Sequence, residues 1–237
     1  MHSLLSGNFD LNLKKHIMKK VAIAAFALLT FGFANAQDIK FGIKAGANFS
    51  TLTGDAVADD VEMKPGFHAG GLVEIKFTEM LSLQPEVLFS YQGAKTSDRE
   101  DDLAGNISRT ESKVNLSYIN VPVMLKFYPV NGFFIQAGPQ IGFLVSAKSK
   151  NESTFTDPGN LTTNQSTEVD IKDDLKTVDV SFNAGLGYDF TPNLFIDARY
   201  SFGLTNVYDA PDFLGGFGIT ELDAKNSNIT VSLGYKF

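Results

Sequence analysis

From Ile229 to Phe237 apolar and small or polar residues alternate without a fault. Ile229, Val231, Leu233, Tyr235 and Phe237 stand against Thr230, Ser232, Gly234 and Lys236. A period of two held this long is a strand with one apolar face, not a helix. The same beat returns in seven earlier segments. TVDVSFNAGLGYDF sets Val178, Val180, Phe182, Ala184, Leu186, Tyr188 and Phe190 against Asp179, Ser181, Asn183, Asp189 and two glycines. LFIDARYSFGLT sets Leu194, Ile196, Ala198, Tyr200, Phe202 and Leu204 against Phe195, Asp197, Arg199, Ser201 and Thr205. Upstream, IKFGIKAGANFS, GFHAGGLVEIKF, LSLQPEVLFSYQG and FFIQAGPQIGFLVS behave alike. LSYINVPVMLKF is imperfect: Leu116 and Tyr118 keep one parity, Ile119 to Phe127 the other, so a β-bulge is expected near Tyr118–Ile119. Pro85, Pro122 and Pro139 each remove a ladder hydrogen bond and are expected at bulges or near a rim.

Eight strands result, and their connections alternate in length. Thr78–Met80, Pro129–Asn131 and Thr191–Asn193 are tight; the links near 51–65, 96–112, 149–176 and 209–225 are long and polar. An up-and-down antiparallel barrel with its short turns at one end and its long loops at the other has this spacing.

Two leading segments are set apart from the fold. Lys19 and Lys20, the apolar run VAIAAFALLTFGF and the small residues Ala34-Asn35-Ala36 predict a secretory signal peptide over 18–36, with cleavage before Gln37. Residues 1–17 read as an upstream extension, and 37–237 as the barrel. Of 20 Lys and Arg and 27 Asp and Glu, four lysines and one aspartate precede Gln37, so the mature part carries 16 against 26, or about −10. No basic stripe exists to neutralise phosphates, which argues against nucleic acid as a partner. The chain has no cysteine, which excludes disulfides and thiolate chemistry, and of three histidines only His68 lies beyond Gln37. The sequence offers no metal site, no cofactor site and no catalytic set.

Periodicity alone does not say which face is wet. A lipocalin-like barrel is apolar inside; an outer-membrane barrel is apolar outside. Face composition favours the second. The polar face collects Lys44, Glu74, Lys76, Glu86, Gln136, Gln140, Asp197 and Arg199 among many glycines, a set suited to interlock in a narrow lumen. The apolar face places aromatics near strand ends, at Phe41, Phe49, Phe67, Phe77, Tyr188, Phe190, Tyr235 and Phe237, as in girdles at the two lipid interfaces. The fold expected is therefore all-β: an eight-stranded antiparallel up-and-down transmembrane β-barrel.

Several stretches together resemble the porin-family, PorT-like outer-membrane β-barrel domain. They are FGIKAGANFS, LSLQPEVLFSYQG, YINVPVMLKFYP, FFIQAGPQIGFL, AGLGYDF and SLGYKF, in that order over 39–237. The resemblance implies a multi-pass barrel in the bacterial outer membrane, reached by signal-peptide export and in contact with outer-membrane lipid and lipopolysaccharide. It brings no catalytic residues with it. Tyr235 and Phe237 resemble a C-terminal signal read by the barrel-assembly machinery, with Ser232 where a glycine is common.

Three functions are weighed. The first is a non-enzymatic barrel with a filled polar lumen, acting structurally or through its extracellular loops, of which SKNESTFTDPGNLTTNQSTEVDIKDDLK is the longest. The second is a narrow, porin-like solute or ion channel lined by the lumen charges. The third is a surface lipid-modifying or proteolytic enzyme, for which His68 is the one histidine to hand. The chain is expected not to be an enzyme. The acidic runs at Asp98–Asp102 and Lys172–Asp174 lack the ligand spacing of a calcium loop and read as solvated charge.

Overall fold

A computed structural model describes residues 38–54, 61–101, 107–157, 159, 161–208 and 224–237. The segments expected at 1–17 and 18–36, and most of the 209–225 link, lie outside the described residues. Among the described residues nine strands follow in chain order: β1 (Asp38–Thr53), β2 (Glu62–Lys76), β3 (Leu81–Asp101), β4 (Ile107–Phe127), β5 (Phe133–Thr156), β6 (Thr162–Asp170), β7 (Val178–Asp189), β8 (Leu194–Asn206) and β9 (Lys225–Lys236). All pairings between them are antiparallel.

Eight of the nine close a ring in the order β1-β2-β3-β4-β5-β7-β8-β9, with β9 paired back onto β1 from Gly42↔Lys236 to Thr53↔Lys225. One row of partners, Ile39–Ile75–Leu83–Leu125–Ala137–Ala184–Tyr200–Ile229, returns to β1 at Phe49, a stagger of ten residues from Ile39. At about 3.3 Å per residue and about 4.8 Å between strands, that stagger tilts the strands by about 40° on a backbone cylinder of about 8 Å radius. Closure leaves no sheet edge within the ring, which bilayer hydrocarbon requires.

The exposure of the two faces settles which way the alternation read from the sequence points. Phe41, Ile43, Phe67, Val87, Leu125, Leu186, Leu233 and Phe237 stand exposed on the outside, while Lys44, Glu74, Glu86, Asp197 and Arg199 are buried within. No described helix is long and apolar enough to cross a membrane; the crossing elements are strands. Aromatic pairs mark the outer rims, among them Phe67–Tyr91 (5.9 Å between centroids), Tyr188–Phe190 (5.5 Å) and Tyr235–Phe237 (5.5 Å).

Two of the three tight turns share a device. In Phe77-Thr78-Glu79-Met80-Leu81 and Phe190-Thr191-Pro192-Asn193-Leu194 the threonine Oγ1 accepts backbone N–H bonds from the last two residues, at 3.2 and 3.0 Å and at 3.2 and 2.9 Å. Phe77 and Phe190 then donate to the carbonyls of Leu81 and Leu194. Gly132, at φ 81°, turns the chain between β4 and β5 in a conformation that favours glycine.

Four expectations need correction. β4 holds one parity throughout: Leu116 and Tyr118 point inward with Asn120, Met124 and Lys126, and are buried there, not returned to the lipid face. The register shift lies at Ser117/Tyr118 against Ser146/Leu144, so the extra residue, Val145, is in β5. The three prolines sit at neither bulges nor rims. Around each, the ladder skips a pair or two and resumes in the same register, as between Leu72↔Glu86 and Ile75↔Leu83. Finally, much of the links at 96–112 and 149–176 is strand. β3, β4 and β5 run to 21, 21 and 24 residues, roughly ten more than a bilayer needs, and β6 adds a fourth strand against β5. β6 escaped detection because TTNQSTEVD is exposed on both faces and carries no apolar alternation.

Candidate functional site

The lumen is filled in tiers. Nearest the short turns, Glu74 Oε2 accepts from Lys236 Nζ at 2.8 Å, and its Oε1 accepts from the Tyr128 hydroxyl (2.7 Å) and Ser82 Oγ (3.0 Å). Lys236 also donates to Asp189 Oδ2 at 3.0 Å. Lys126 Nζ lies 3.6 Å from Glu74 and over the rings of Phe134 (4.1 Å) and Phe195 (4.9 Å). Those two rings cover Gly187 and Gly234, the residues directly opposite them on the next strands, where any Cβ would collide with the ring. Glycine in AGLGYDF and SLGYKF is thus the space the aromatics occupy. With Leu72 and Tyr128 they form an apolar cluster at this end.

The next tier crosses the cylinder. Arg199 Nη1 and Nη2 donate to Glu86 Oε2 and Oε1 at 2.9 and 2.6 Å, and Nη2 also to Asp197 Oδ2 at 3.1 Å. Lys44 Nζ donates to Asp197 at 2.8 Å and lies 3.6 Å from Glu86. β3 and β8 stand opposite each other in the ring, so the Arg199–Glu86 fork spans its diameter. Two cations face two carboxylates in this tier, and likewise Lys126 and Lys236 face Glu74 and Asp189 below, so both sets are internally neutral.

Above them Asn48 Nδ2 donates to Phe67 O, Ser90 Oγ and Tyr91 O, at 2.9, 2.9 and 3.0 Å. Its Oδ1 must therefore accept from His68 Nδ1 (2.7 Å), and His68 Nε2 accepts from Ser232 Oγ (2.9 Å). The set joins β9, β1, β2 and β3 across the closing seam. It has the order of a nucleophile, base and orienting group, yet Ser232 is 2% exposed and His68 3%, and neither lines a described cleft. Higher still, Asn226 bridges Asp179 (2.9 Å) and the Tyr118 hydroxyl (3.3 Å), and Thr205 donates to Asp179 (2.8 Å). Leu52, Ala94, Leu116, Tyr118, Leu144 and Ala147, joined by Leu175 and Val207 from the connecting segments, then close the mouth with an apolar cluster.

Of the residues expected in the lumen, Lys44, Glu74, Glu86, Asp197 and Arg199 meet in these two ionic sets. Gln136 is buried beside them with both amide atoms unpartnered by the protein. Gln140 is half-buried and accepts from Asn183 at 3.2 Å. Lys76 is half-buried near the Tyr128 ring, 5.5 Å from its centroid, outside both ionic sets. The apolar end clusters were not foreseen; Phe134 and Phe195 on the polar parity were their trace in the sequence. Tyr235 and Phe237 stand on the outer face, and the Phe237 N–H donates to Phe41 O at 2.7 Å.

Beyond the ring, β3–β6 continue as a four-stranded sheet. Lys113 Nζ donates to Glu152 Oε2 (2.9 Å) and lies 3.1 Å from Glu111; Lys150 donates to Glu152 Oε1 (2.7 Å) and Lys148 to Glu168 (2.6 Å). Hydrogen bonds from Lys150 and Lys113 hold the Glu152 carboxyl down at about 2. A cleft of about 630 Å³ lies across the four strands, from Ser97–Arg99 to Asn164–Ser166. No group of three or more metal-ligating side chains occurs among the described residues.

Residues 34–209 match the outer membrane protein beta-barrel domain family. The chain belongs to that family. Its members' barrels lie in the bacterial outer membrane, which fixes the solvent of the apolar outer face. Comparison with curated protein sequences gave no match. Among solved structures the chain is similar to Ail, the attachment invasion locus protein of Yersinia pestis, at 15% identity over 85% of this chain and 100% of that one, with a TM-score of 0.39. It is similar to Neisserial surface protein A at 12% identity over 85% and 100%, TM-score 0.39. It is also similar to the outer membrane protease OmpT of Escherichia coli, at 12% over 84% and 95%, TM-score 0.31. None of these transfers an activity at such identities.

Proposed function

We propose that this is a non-enzymatic, non-conducting outer-membrane barrel whose work is done by the sheet that β3–β6 raise beyond the membrane. The Arg199–Glu86 fork carries the reading. An eight-stranded ring has room only for its own side chains, and here a buried ion pair crosses it between two apolar end clusters. A water-filled path would leave such charges hydrated. By the usual arrangement of such barrels the short turns face the periplasm and the extended sheet the outside. Within the family the chain is a PorT-like member on its strand motifs. Tyr235 and Phe237 serve as the assembly machinery's recognition signal, and outer-leaflet lipopolysaccharide is the barrel's surroundings.

The channel alternative is tested by planar-bilayer recording of the refolded mature protein. We expect no steady openings. Stepwise, reproducible conductance from the wild-type protein would overturn the reading in favour of a narrow pore.

A further inference from the structure

Strand pairing accounts for one side of β6 and leaves the other open. β6 pairs with β5 through nine consecutive residues, from Lys148↔Asp170 to Thr156↔Thr162, with no register shift. Among the described residues no strand pairs with its far side, where it ends the sheet. Every residue of it is exposed. A free edge of this length presents a row of N–H and C=O groups, a template for another strand. Edges are commonly blunted by bulges, prolines or charges. The projection's other edge, β3 beyond its last pair with β2 at Glu62↔Lys95, carries Asp98, Arg99 and Glu100. β6 has no bulge, no proline and no cation, and from Thr162 to Thr167 it is uncharged.

Both ends of the strand are fixed. Above it the Asp157 N–H donates to Leu161 O (3.1 Å) and the Leu161 N–H to Asp157 Oδ1 (2.8 Å). Below it the Ile171 N–H donates to Ala147 O (3.1 Å) and the Lys172 N–H to Asp170 Oδ1 (2.9 Å). A partner therefore meets a preformed edge, and little ordering entropy is lost on that side.

The residues of β6 say what fits. Its carboxylates lie at one end, where Glu168 accepts from Lys148 at 2.6 Å and Asp170 stands opposite the same lysine. Consider a second β6 laid antiparallel about a two-fold axis through Ser166. Ser166 then faces itself, Gln165 faces Thr167, Asn164 faces Glu168, Thr163 faces Val169 and Thr162 faces Asp170. No like charges meet, and Thr163 and Val169 make a β-branched pair. Residues of the same parity oppose one another, as an antiparallel ladder requires when every second backbone group already points to β5.

We propose that β6 is a homotypic docking edge, through which two copies join their four-stranded sheets. The two-fold axis is perpendicular to the sheet. Because the sheet continues the barrel wall, that axis lies along the membrane plane and inverts one barrel relative to the other. The contact thus forms between two facing membranes, not within one. A single nine-residue ladder is a small interface, and many in parallel between two surfaces supply the strength. The proposal rests on the reading that the projecting sheet is the working part.

The test uses the refolded mature protein in phosphatidylcholine vesicles, with clustering followed by light scattering. We expect wild-type vesicles to cluster. Ser166→Lys and Ser166→Glu each set like charges across the axis and should slow clustering at least tenfold. Ser166→Lys vesicles mixed with Ser166→Glu vesicles should recover to within threefold of wild type. Asn164→Lys, which meets Glu168 of the other copy, should cluster at least as fast as wild type. Heat-modifiable gel mobility checks that each variant barrel is folded. Absence of clustering by the wild-type protein, unchanged clustering by both Ser166 variants, or a mixture no faster than its two parts would overturn the proposal. So would an Asn164→Lys loss equal to that of Ser166→Lys, which would make clustering a general response to added charge. None of these results bears on conductance, so electrically silent vesicles that fail to cluster would remove this proposal and leave the non-conducting reading standing.

Discussion

Arg199 is the side chain on which the lumen turns. Its guanidinium meets Glu86 with both ends and Asp197 with one. Arg199→Ala would leave two buried carboxylates with Lys44 as their one cation, and breaking a buried pair from one side costs about 3–5 kcal/mol. We expect a loss of that size in urea unfolding from lipid vesicles followed by circular dichroism. A loss under about 1 kcal/mol would mean that water already shares the lumen. Parity alone puts Lys44, Glu86, Asp197 and Arg199 on one face, and to that extent the site is legible in the sequence. Which of them meet is not. The ten-residue stagger decides it, and nothing local to β3 or β8 encodes a partner on the far side of the ring. His68 shows the same limit: its neighbours Asn48 and Ser232 lie 20 and 164 residues away.

Strand existence was plain wherever one face met lipid, because that face must be apolar at every second residue. The rule fails where strands leave the bilayer. β6 and the outer halves of β3 and β4 have polar residues on both faces, so their alternation vanishes although their pairing continues. Tyr118 misled for the opposite reason: an apolar residue on the inner face mimics a change of parity, and the true bulge at Val145 sits on the neighbouring strand. Since the β3–β4 ladder beyond Thr96↔Ser112 lies outside the ring, the outer hairpin should be dispensable to the barrel. Joining Thr96 to Ser112 through Asn-Gly should leave heat-modifiable mobility and urea stability within about 1 kcal/mol of wild type. Failure of that variant to refold would tie the extension to barrel formation.

For the whole molecule, closure and polarity are one statement. Eight strands staggered by ten residues make a cylinder too narrow for anything but side chains, so ionised groups sit inside in neutral sets and apolar ones face outward. The absence of cysteine from the natural sequence permits a direct test. Single cysteines placed in turn at Thr230, Val231, Ser232 and Leu233 of β9, spin-labelled in lipid vesicles, report contact with dissolved oxygen and with a water-soluble nickel chelate. The account predicts high oxygen and low nickel contact at Val231 and Leu233, and little contact with either reagent at Thr230 and Ser232. Oxygen contact peaking at Thr230 and Ser232, or nickel contact at Val231 and Leu233, would contradict it.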